Sequence, residues 1–260
     1  MEIFQSLAAV IAPFEQYLFA VAAMFVRLSM LAFLVPGLGE GTIPVRGRII
    51  VALVITWLIV PFMLDDLPQN INSVSALVSL MFLEAIYGFV LGFSLRLMIF
   101  VLQIAGTIIA QAMSLSQIFG NILTEEPNPT VSLLLMVAGT TLLLTMDFHV
   151  GVIGLLVKSY ETFPMGTYPD LEQLAYWASG RAAYAFEFAL SLSLPFVVLN
   201  FIYNVVLGVV NRAMPQLMVS FVGLPAITGA SLVLLAISVA AMLMAWVTSF
   251  NLVFAEFGGG

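Results

Sequence analysis

The chain has 260 residues, of which 62% are hydrophobic and only 8% are charged. A soluble domain carries about 25% charged residues, so this chain lacks the polar side chains that would cover a surface facing water. A net charge of -7 with only seven Lys and Arg argues against nucleic acid as a partner. The lack of Cys, together with a single His, excludes zinc centres built from Cys or His clusters. We therefore predict a membrane-embedded protein without a metal or a cofactor.

Apolar runs separated by short polar segments predict an all-α fold of long, bent, membrane-embedded helices and helical hairpins. A helix needs about 20 apolar residues to cross a bilayer, and six runs approach or exceed that length. In chain order they are residues 7–35, 49–64, 74–116, 131–157, 182–210 and 224–254. We expect Pro13 to break the first run near its start. We also expect a polar stretch at residues 158–181 to separate the fourth run from the fifth.

The third run is about twice as long as a bilayer crossing and allows two interpretations. It forms either two spans with a turn near Gly88 or Gly92, or one long, bent helix. No Pro or polar cluster interrupts the run, and Gly alone does not end a helix, so we favour the single helix. Such a helix extends beyond the bilayer. That length predicts that part of it packs on other protein and that the chain is a subunit of an assembly.

Charged residues within the apolar runs are candidates for function, because a charge in the membrane is costly. These residues are Arg27, Glu84, Arg96, Asp147 and Glu187. The favoured interpretation is that they pair with one another or with a partner chain inside a helix bundle. A proton relay would instead need several carboxylates that converge at one depth, for which Glu84 and Glu187 are the candidates.

No catalytic constellation is recognisable in the chain. His149 lies in the middle of the fourth run, and a single histidine there is more often a hydrogen-bonded interior group than a pH switch. Ser is plentiful but scattered, and no nucleophile–base pair or Gly-rich phosphate loop appears. We predict that the protein is not an enzyme.

Residues 111–129, QAMSLSQIFGNILTEEPNP, form the most unusual segment. The segment is apolar but rich in Ser, Gln and Asn, so it is too polar for a helix that faces lipid. Its backbone must be buried in protein or line a cavity. The residues alone allow either a re-entrant, pore-facing loop or an ordinary linker between helices.

Three patterns follow one another along the chain. Residues 84–116 contain an acid, paired glycines and the sequence QIAG; residues 147–164 read DFHVGVIGLLVKSYETFP; and residues 211–225 read NRAMPQLMVSFVGLP. Together they resemble the FliR-type export-gate proteins of bacterial flagella, whose injectisome counterparts are the SctT-type proteins. The resemblance implies a role in assembly for the motif residues. These are Glu84, Gly88, Gly92, Gly106, Asp147, His149, Asn211, Arg212, Pro215, Gln216, Gly223 and Pro225.

The resemblance implies a subunit of the type III secretion export gate, located in the bacterial inner membrane at the flagellar basal body. In that family the subunit assembles with FliP-type and FliQ-type subunits, and a FlhB-type protein binds the assembly. Unfolded export substrates are expected to pass through the channel. Residues 1–260 would form one export-gate membrane domain, with a FliP-like part at 1–175 and a FliQ-like helical hairpin at 176–260.

The same family places a plug at the position of residues 111–129, which favours the pore-facing interpretation of that segment. Apolar side chains suit a seal because a dewetted constriction blocks ions, and a glycine supplies flexibility. The expected plug residues are Met113, Leu115, Ile118, Phe119, Gly120, Ile122 and Leu123.

The third pattern predicts a tight turn between the fifth and sixth runs. Pro215 and Pro225 are expected to prevent an uninterrupted helix there. Asn211 and Arg212 are then expected to bond the backbone groups exposed at that break.

The strongest rival function is a secondary transporter of a small molecule. That class often shows internal repeats and broken helices around a midplane site. This chain has no clear repeat and few charged ligands, so the sequence favours the export gate.

Overall fold

The structure, a computed structural model, describes residues 2–39, 43–63, 74–113, 130–214 and 219–257. Within these ranges every regular element is a helix. The helices are α1 Glu2–Leu34, α2 Val45–Ile59, α3 Val74–Ala112, α4 Thr130–Thr145, α5 Phe148–Thr162, α6 Leu171–Ala213 and α7 Val219–Glu256. In this part of the chain five helices are long and apolar enough to cross a membrane, and the bent pair α4 and α5 forms either a broken sixth span or a re-entrant loop. The predicted all-α membrane fold is confirmed.

Helix α1 continues through Pro13, where the sequence predicted a break. A proline removes one hydrogen bond from a long helix, which bends the helix more readily than it ends it. The helix ends instead at the Val35-Pro36-Gly37 sequence. Gly37 has a φ of 86°, the left-handed conformation that commonly follows a helix and that glycine adopts without strain.

Helix α2 packs on α1 along one narrow seam. Its buried positions recur every three or four residues, as expected for a helix with one buried face. They are Arg48, Ala52, Thr56 and Ile59. The rings of Tyr17 and Trp57 meet edge to face at 5.6 Å, and a single 3-10 turn, Val60–Phe62, extends the helix.

Helix α3 is one uninterrupted helix of 39 residues. This confirms the single-helix interpretation of the third apolar run, although the helix ends at Ala112. At 1.5 Å per residue its length is about 58 Å. The hydrocarbon core of a bilayer is about 30 Å thick, so the helix is nearly twice the length of a perpendicular crossing.

The fourth apolar run is two helices, which corrects the expectation of one continuous span. Asp147 separates α4 from α5 and has a φ of 54°. Among the described residues it is the one non-glycine residue with a positive φ. A left-handed residue cannot continue a right-handed helix, and the Asp147 carbonyl accepts the N–H of Val150 at 2.9 Å as α5 begins.

The connection between α5 and α6 spans residues 163–170, much less than the polar stretch expected at 158–181. Asp170 starts α6 early, because its Oδ1 atom accepts the backbone N–H groups of Glu172 at 3.0 Å and Gln173 at 3.3 Å. Such capping satisfies donors that have no partner within the helix. The polar composition therefore reflected helix ends rather than a long loop.

Helices α6 and α7 are 43 and 38 residues long, and each contains a proline in its interior, Pro195 and Pro225. Pro225 therefore does not end a helix, contrary to the sequence prediction. The break between the two helices falls between Ala213 and Val219. Pro215 and Gln216 lie there, outside the described residues.

The chain divides into two compact units. The first unit comprises Met1–Arg96, Asp147–Ser179 and Asn251–Gly260, and the second comprises Leu97–Met146 and Gly180–Phe250. Each unit joins segments that are distant in the sequence. The predicted parts, 1–175 and 176–260, rest on likeness to other proteins rather than on packing, so that division stays a prediction.

Candidate functional site

Two charged residues meet in the core of the first unit, Arg27 of α1 and Glu84 of α3. Both side chains are completely buried. Arg27 Nε donates to Glu84 Oε2 at 2.6 Å, and Arg27 Nη2 donates to Glu84 Oε1 at 3.1 Å. This two-point contact is a strong and directional form of arginine–carboxylate pairing. The sequence prediction that intramembrane charges pair with one another is confirmed for these two residues.

The remaining contacts of the guanidinium reach α5 and the connection after it. Arg27 Nη1 donates to Ser159 Oγ at 3.1 Å, and Nη2 also donates to the Phe163 carbonyl oxygen at 3.0 Å. The Ser159 hydroxyl in turn donates to the Leu156 carbonyl oxygen at 2.6 Å. A buried charge is tolerated only when such groups replace water. One guanidinium therefore joins α1, α3, α5 and the segment that leads to α6.

Tyrosine rings surround the charge. The Arg27 Cζ atom lies 3.8 Å from the ring centroid of Tyr160 and 5.1 Å from that of Tyr87, within reach of a cation–π attraction. Tyr87 also stacks on Phe163 at 4.9 Å, and its hydroxyl donates to the Thr167 carbonyl oxygen at 2.9 Å. We call this cluster the arginine centre. It consists of Arg27, Glu84, Tyr87, Ser159, Tyr160 and Phe163.

Two predicted glycines of α3 lie where α1 comes closest. A Cβ atom on Gly88 would overlap the backbone carbonyl of Arg27, and one on Gly92 would lie 2.7 Å from Leu34 Cβ. Real Cβ atoms do not approach other atoms that closely, so these positions require glycine. Because Gly88 is one turn beyond Glu84, it brings α1 close enough for Arg27 to reach the carboxylate.

Two further predicted glycines lie at helix contacts within the second unit. A Cβ on Gly106 of α3 would overlap Ser132 of α4, and the Ser132 hydroxyl donates to the Gln103 carbonyl oxygen at 3.1 Å. A Cβ on Gly223 of α7 would overlap the hydroxyl of Tyr203 of α6. Gly106 therefore marks a close approach of two helices, whereas Gly223 accommodates the end of one tyrosine side chain.

Other predicted residues lie on the surface of the chain. Asp147 and His149 are exposed at the break between α4 and α5, so this chain alone does not enclose His149. Phe148, between them in the sequence, is buried, and its ring centroid lies 5.4 Å from that of Phe254. Glu187 is exposed on α6, whereas Glu84 is committed to its arginine.

The motif residues Asn211 and Arg212 are exposed in the last turn of α6. Pro225 is likewise exposed, within α7. Arg96, the remaining charge of the apolar runs, is half-buried in α3.

Of the expected plug residues, Met113 lies in the described part of the chain. It follows α3 directly and is fully buried. Its carbonyl oxygen accepts a hydrogen bond from Thr228 Oγ1 of α7 at 2.9 Å. The other expected plug residues lie outside the described residues. They are Leu115, Ile118, Phe119, Gly120, Ile122 and Leu123.

Sequence reasoning missed the aromatic members of both cores. Tyr87 lies three residues after Glu84, on the same helix face, and Tyr160 lies within the second family pattern, so both carried a usable signal. In the second unit the completely buried Trp246 donates its indole N–H to the Met98 carbonyl oxygen at 2.7 Å. Nothing in the local sequence singled out this tryptophan, because its partner is a backbone group distant in the chain.

The arginine centre is suited to holding helices rather than to chemistry. Arginine stays protonated in proteins, and both members of the ion pair are completely buried, which leaves no face open to a substrate. Within residues 2–39, 43–63, 74–113, 130–214 and 219–257, no group of three or more His, Cys, Asp or Glu side chains is placed to hold a metal ion.

Comparison with known proteins places these features in a family. Residues 18–253 match the family described as bacterial export proteins, family 1. The chain is 29% identical to the flagellar biosynthetic protein FliR of Caulobacter vibrioides, over 88% of this chain and 91% of that protein. It is also 32% identical to FliR of Pectobacterium carotovorum, over 77% of each chain, and 30% identical to FliR of Escherichia coli K12, over 76% of each. The chain therefore belongs to the FliR family of bacterial flagellar export proteins.

Proposed function

We propose that this chain is a structural subunit of the flagellar protein-export gate. In this proposal it lies in the bacterial inner membrane at the basal body, where it helps to form and seal the channel for unfolded substrate proteins. Membership of the FliR family is the observation that carries the proposal, because the relatives are flagellar biosynthetic proteins. The role is to shape and close a channel, with the driving energy supplied by other components.

The length and surface of α6 support a place inside an assembly. Its 43 residues measure about 65 Å, more than twice the hydrocarbon thickness of a bilayer. Large apolar side chains are exposed along much of the helix, among them Phe186, Leu190, Leu194, Phe201, Val205 and Val209. Lipid can cover only part of such a length. The remainder needs other protein subunits to keep it from water.

Two asparagines interrupt this apolar surface. Asn204 Nδ2 donates to the Asn200 carbonyl oxygen at 2.8 Å and to Asn200 Oδ1 at 3.1 Å. One turn later, a Cβ placed on Gly208 would have nothing within 4 Å. Polar and small residues at one-turn spacing on a membrane helix favour contact with another helix over contact with lipid. We infer that FliP-type and FliQ-type subunits cover this surface and that a FlhB-type protein binds the assembly.

The predicted division of the chain follows from the same proposal. Residues 1–175 would form the FliP-like part, and 176–260 the FliQ-like hairpin. The contact between the Tyr203 side chain of α6 and Gly223 of α7 supports a hairpin of two helices.

We further propose that residues 111–129 form the plug of the channel. Two observations support a fixed starting point for this segment. Met113 is fully buried, and its carbonyl oxygen is bonded to Thr228. An apolar segment that starts from a rigid helix end is suited to excluding water at rest.

Copurification tests the assembly. The chain produced alone in detergent is expected to be unstable, whereas coproduction with FliP-type and FliQ-type proteins is expected to give a stable complex. Size-exclusion chromatography distinguishes the two results. A well-behaved monomer that does not bind those proteins would contradict the assembly proposal.

Deletion of residues 116–123 tests the plug. The assembled complex is expected to form normally but to let ions or small solutes leak across the membrane, because the apolar constriction is lost. A leak could come from the shorter segment or from the loss of its apolar side chains. A length-matched replacement of the same residues by Gly and Ser separates these explanations, since it keeps the length of the segment but removes its apolar side chains. Unchanged permeability with both variants would leave only the linker interpretation.

A further inference from the structure

We propose that the arginine centre is a positioning device: Arg27 and Glu84 fix residues 163–167, and with them the start of α6, rather than stabilise the first unit. The geometry of this inference is independent of the proposed function. The coproduction with partner subunits and the export readout rest on the export-gate proposal.

The contacts of Arg27 outside the ion pair point to the connection between α5 and α6. Phe163 is the first residue after α5, and its φ of -125° and ψ of 78° take the chain out of the helix. Its N–H bonds the Ser159 carbonyl oxygen at 2.8 Å. Arg27 bonds both the Ser159 hydroxyl and the Phe163 carbonyl oxygen. The guanidinium therefore holds the end of α5 and the first residue of the connection together.

Tyr87 holds the connection at a second point. Its hydroxyl reaches both the carbonyl oxygen and the hydroxyl of Thr167, at 2.9 Å and 3.1 Å, while its ring stacks on Phe163. Between these anchors, Met165 is only 6% exposed. Asp170, three residues beyond Thr167, caps α6. A shift of the connection would break several of these contacts at once, so they define where α6 begins.

Stability alone does not account for the ion pair. Two buried charges lose their hydration, and their replacement by apolar residues of similar size is often neutral or stabilising. An apolar pair would still fill the space between α1 and α3. It could not, however, donate to the Phe163 carbonyl or the Ser159 hydroxyl. The contribution specific to Arg27 is thus the placement of the connection.

The natural absence of cysteine makes a direct test possible. Met165→Cys places a reporter in the buried part of the connection, and Met24→Cys places a control in the buried face of α1, where Met24 is 1% exposed. Each is combined with the double substitution Arg27→Met and Glu84→Met in the full chain, coproduced with its partner subunits in a strain that lacks the native copy. Maleimide labelling of the solubilised complex, membrane abundance and export of flagellar proteins are then measured.

We expect the cysteine at 165 to be protected in the otherwise native chain and to become reactive in the double variant. The control cysteine at 24 is expected to stay protected, with unchanged membrane abundance and a loss of export. Tyr87→Phe is the matched variant, because it keeps the ion pair and removes only the hydroxyl contacts to Thr167. It is expected to raise labelling at 165 by less than the double variant does.

Arg27→Lys separates positioning from charge. A lysine can still neutralise Glu84, but its single ammonium group lacks the planar fork that contacts the carboxylate, Ser159 and Phe163 together. Raised labelling at 165 with retained abundance is therefore expected. Continued protection at 165 in the double variant would overturn the proposal. So would loss of the double variant from the membrane with labelling at 24, since the pair would then be needed for stability. Raised labelling at 165 with normal export would support positioning and show that export tolerates a displaced connection.

Discussion

The cores of the two compact units are built from different kinds of contact. In the first unit a completely buried ion pair, two tyrosines and a backbone carbonyl form a directional network. In the second unit Trp246 fills the core against Gly139 and makes one hydrogen bond, to the Met98 carbonyl oxygen. A hydrogen-bonded charge requires particular partners at particular angles, whereas a packed ring requires mainly the right volume. The stability of the first unit should therefore depend on the chemical identity of its core side chains, and that of the second unit on their size.

The largest effect is expected for Arg27→Leu. This change keeps an apolar side chain in the core but leaves the Glu84 carboxylate buried without its counter-ion, which costs about 3–5 kcal/mol. Thermal unfolding of the solubilised complex measures the loss. Arg46→Leu is the control, because Arg46 is exposed at the start of α2. Equal losses of stability with the two substitutions would show that burying Glu84 without its counter-ion has no particular cost in the first unit.

In the second unit, Trp246→Ala is expected to cost about 3 kcal/mol, because it leaves a cavity where a large ring was buried. Trp246→Phe keeps much of the volume and loses the indole hydrogen bond, so it should cost about 1 kcal/mol. The same unfolding measurement applies. If Trp246→Phe were as damaging as Trp246→Ala, the hydrogen bond rather than the volume would define this core, and the contrast between the units would disappear.

Gly106→Ala tests whether size also limits the contact between α3 and α4. The added methyl group would overlap Ser132, and such overpacking costs about 2 kcal/mol. Gly229→Ala of α7 is the matched control within the same unit, since the space above it is open, and better helix propensity should make it neutral or stabilising by up to about 1 kcal/mol. A stabilising Gly106→Ala would mean that the helices separate at no cost.

The smallest effect is expected for Thr228→Val, which keeps the shape of the side chain but removes the hydrogen bond to the Met113 carbonyl oxygen. A single neutral hydrogen bond contributes about 1 kcal/mol, and the solubilised complex should lose about that amount. Thr248→Val on the same helix is the control, because that hydroxyl is exposed and bonds only its own helix, at the Met244 carbonyl oxygen. An equal loss with both variants would mean that the end of α3 is not held by Thr228.

Much of the fold was predictable because bilayer thickness and hydropathy constrain it. The approximate length of α3 was readable in this way, whereas the glycines at helix contacts came from the family resemblance. The break at Asp147 was not, since a lone acid in an apolar run gives no sign that its backbone turns left-handed. The extent of α6 was misjudged because a capping aspartate and the polar first turn of a helix resemble a loop in composition.

The candidate site was predictable only in part, because its contacts depend on how the helices pack. Arg27 and Glu84 stood out as charges in apolar runs. Which charges meet is decided by helix approach, here at Gly88, and not by spacing along the chain. The carbonyl partner at Phe163 could not be predicted either, because every residue carries a carbonyl group.

The asparagine pair of α6 has a consequence for biogenesis. An amide without a hydrogen-bond partner would resist the entry of α6 into lipid. Asn204 satisfies its amino group within its own helix, on Asn200. The helix can thus enter the bilayer at reduced cost before any neighbouring helix covers these two side chains. The entry of α6 into lipid and its later contact with another helix can in this way be separate events that involve the same two side chains.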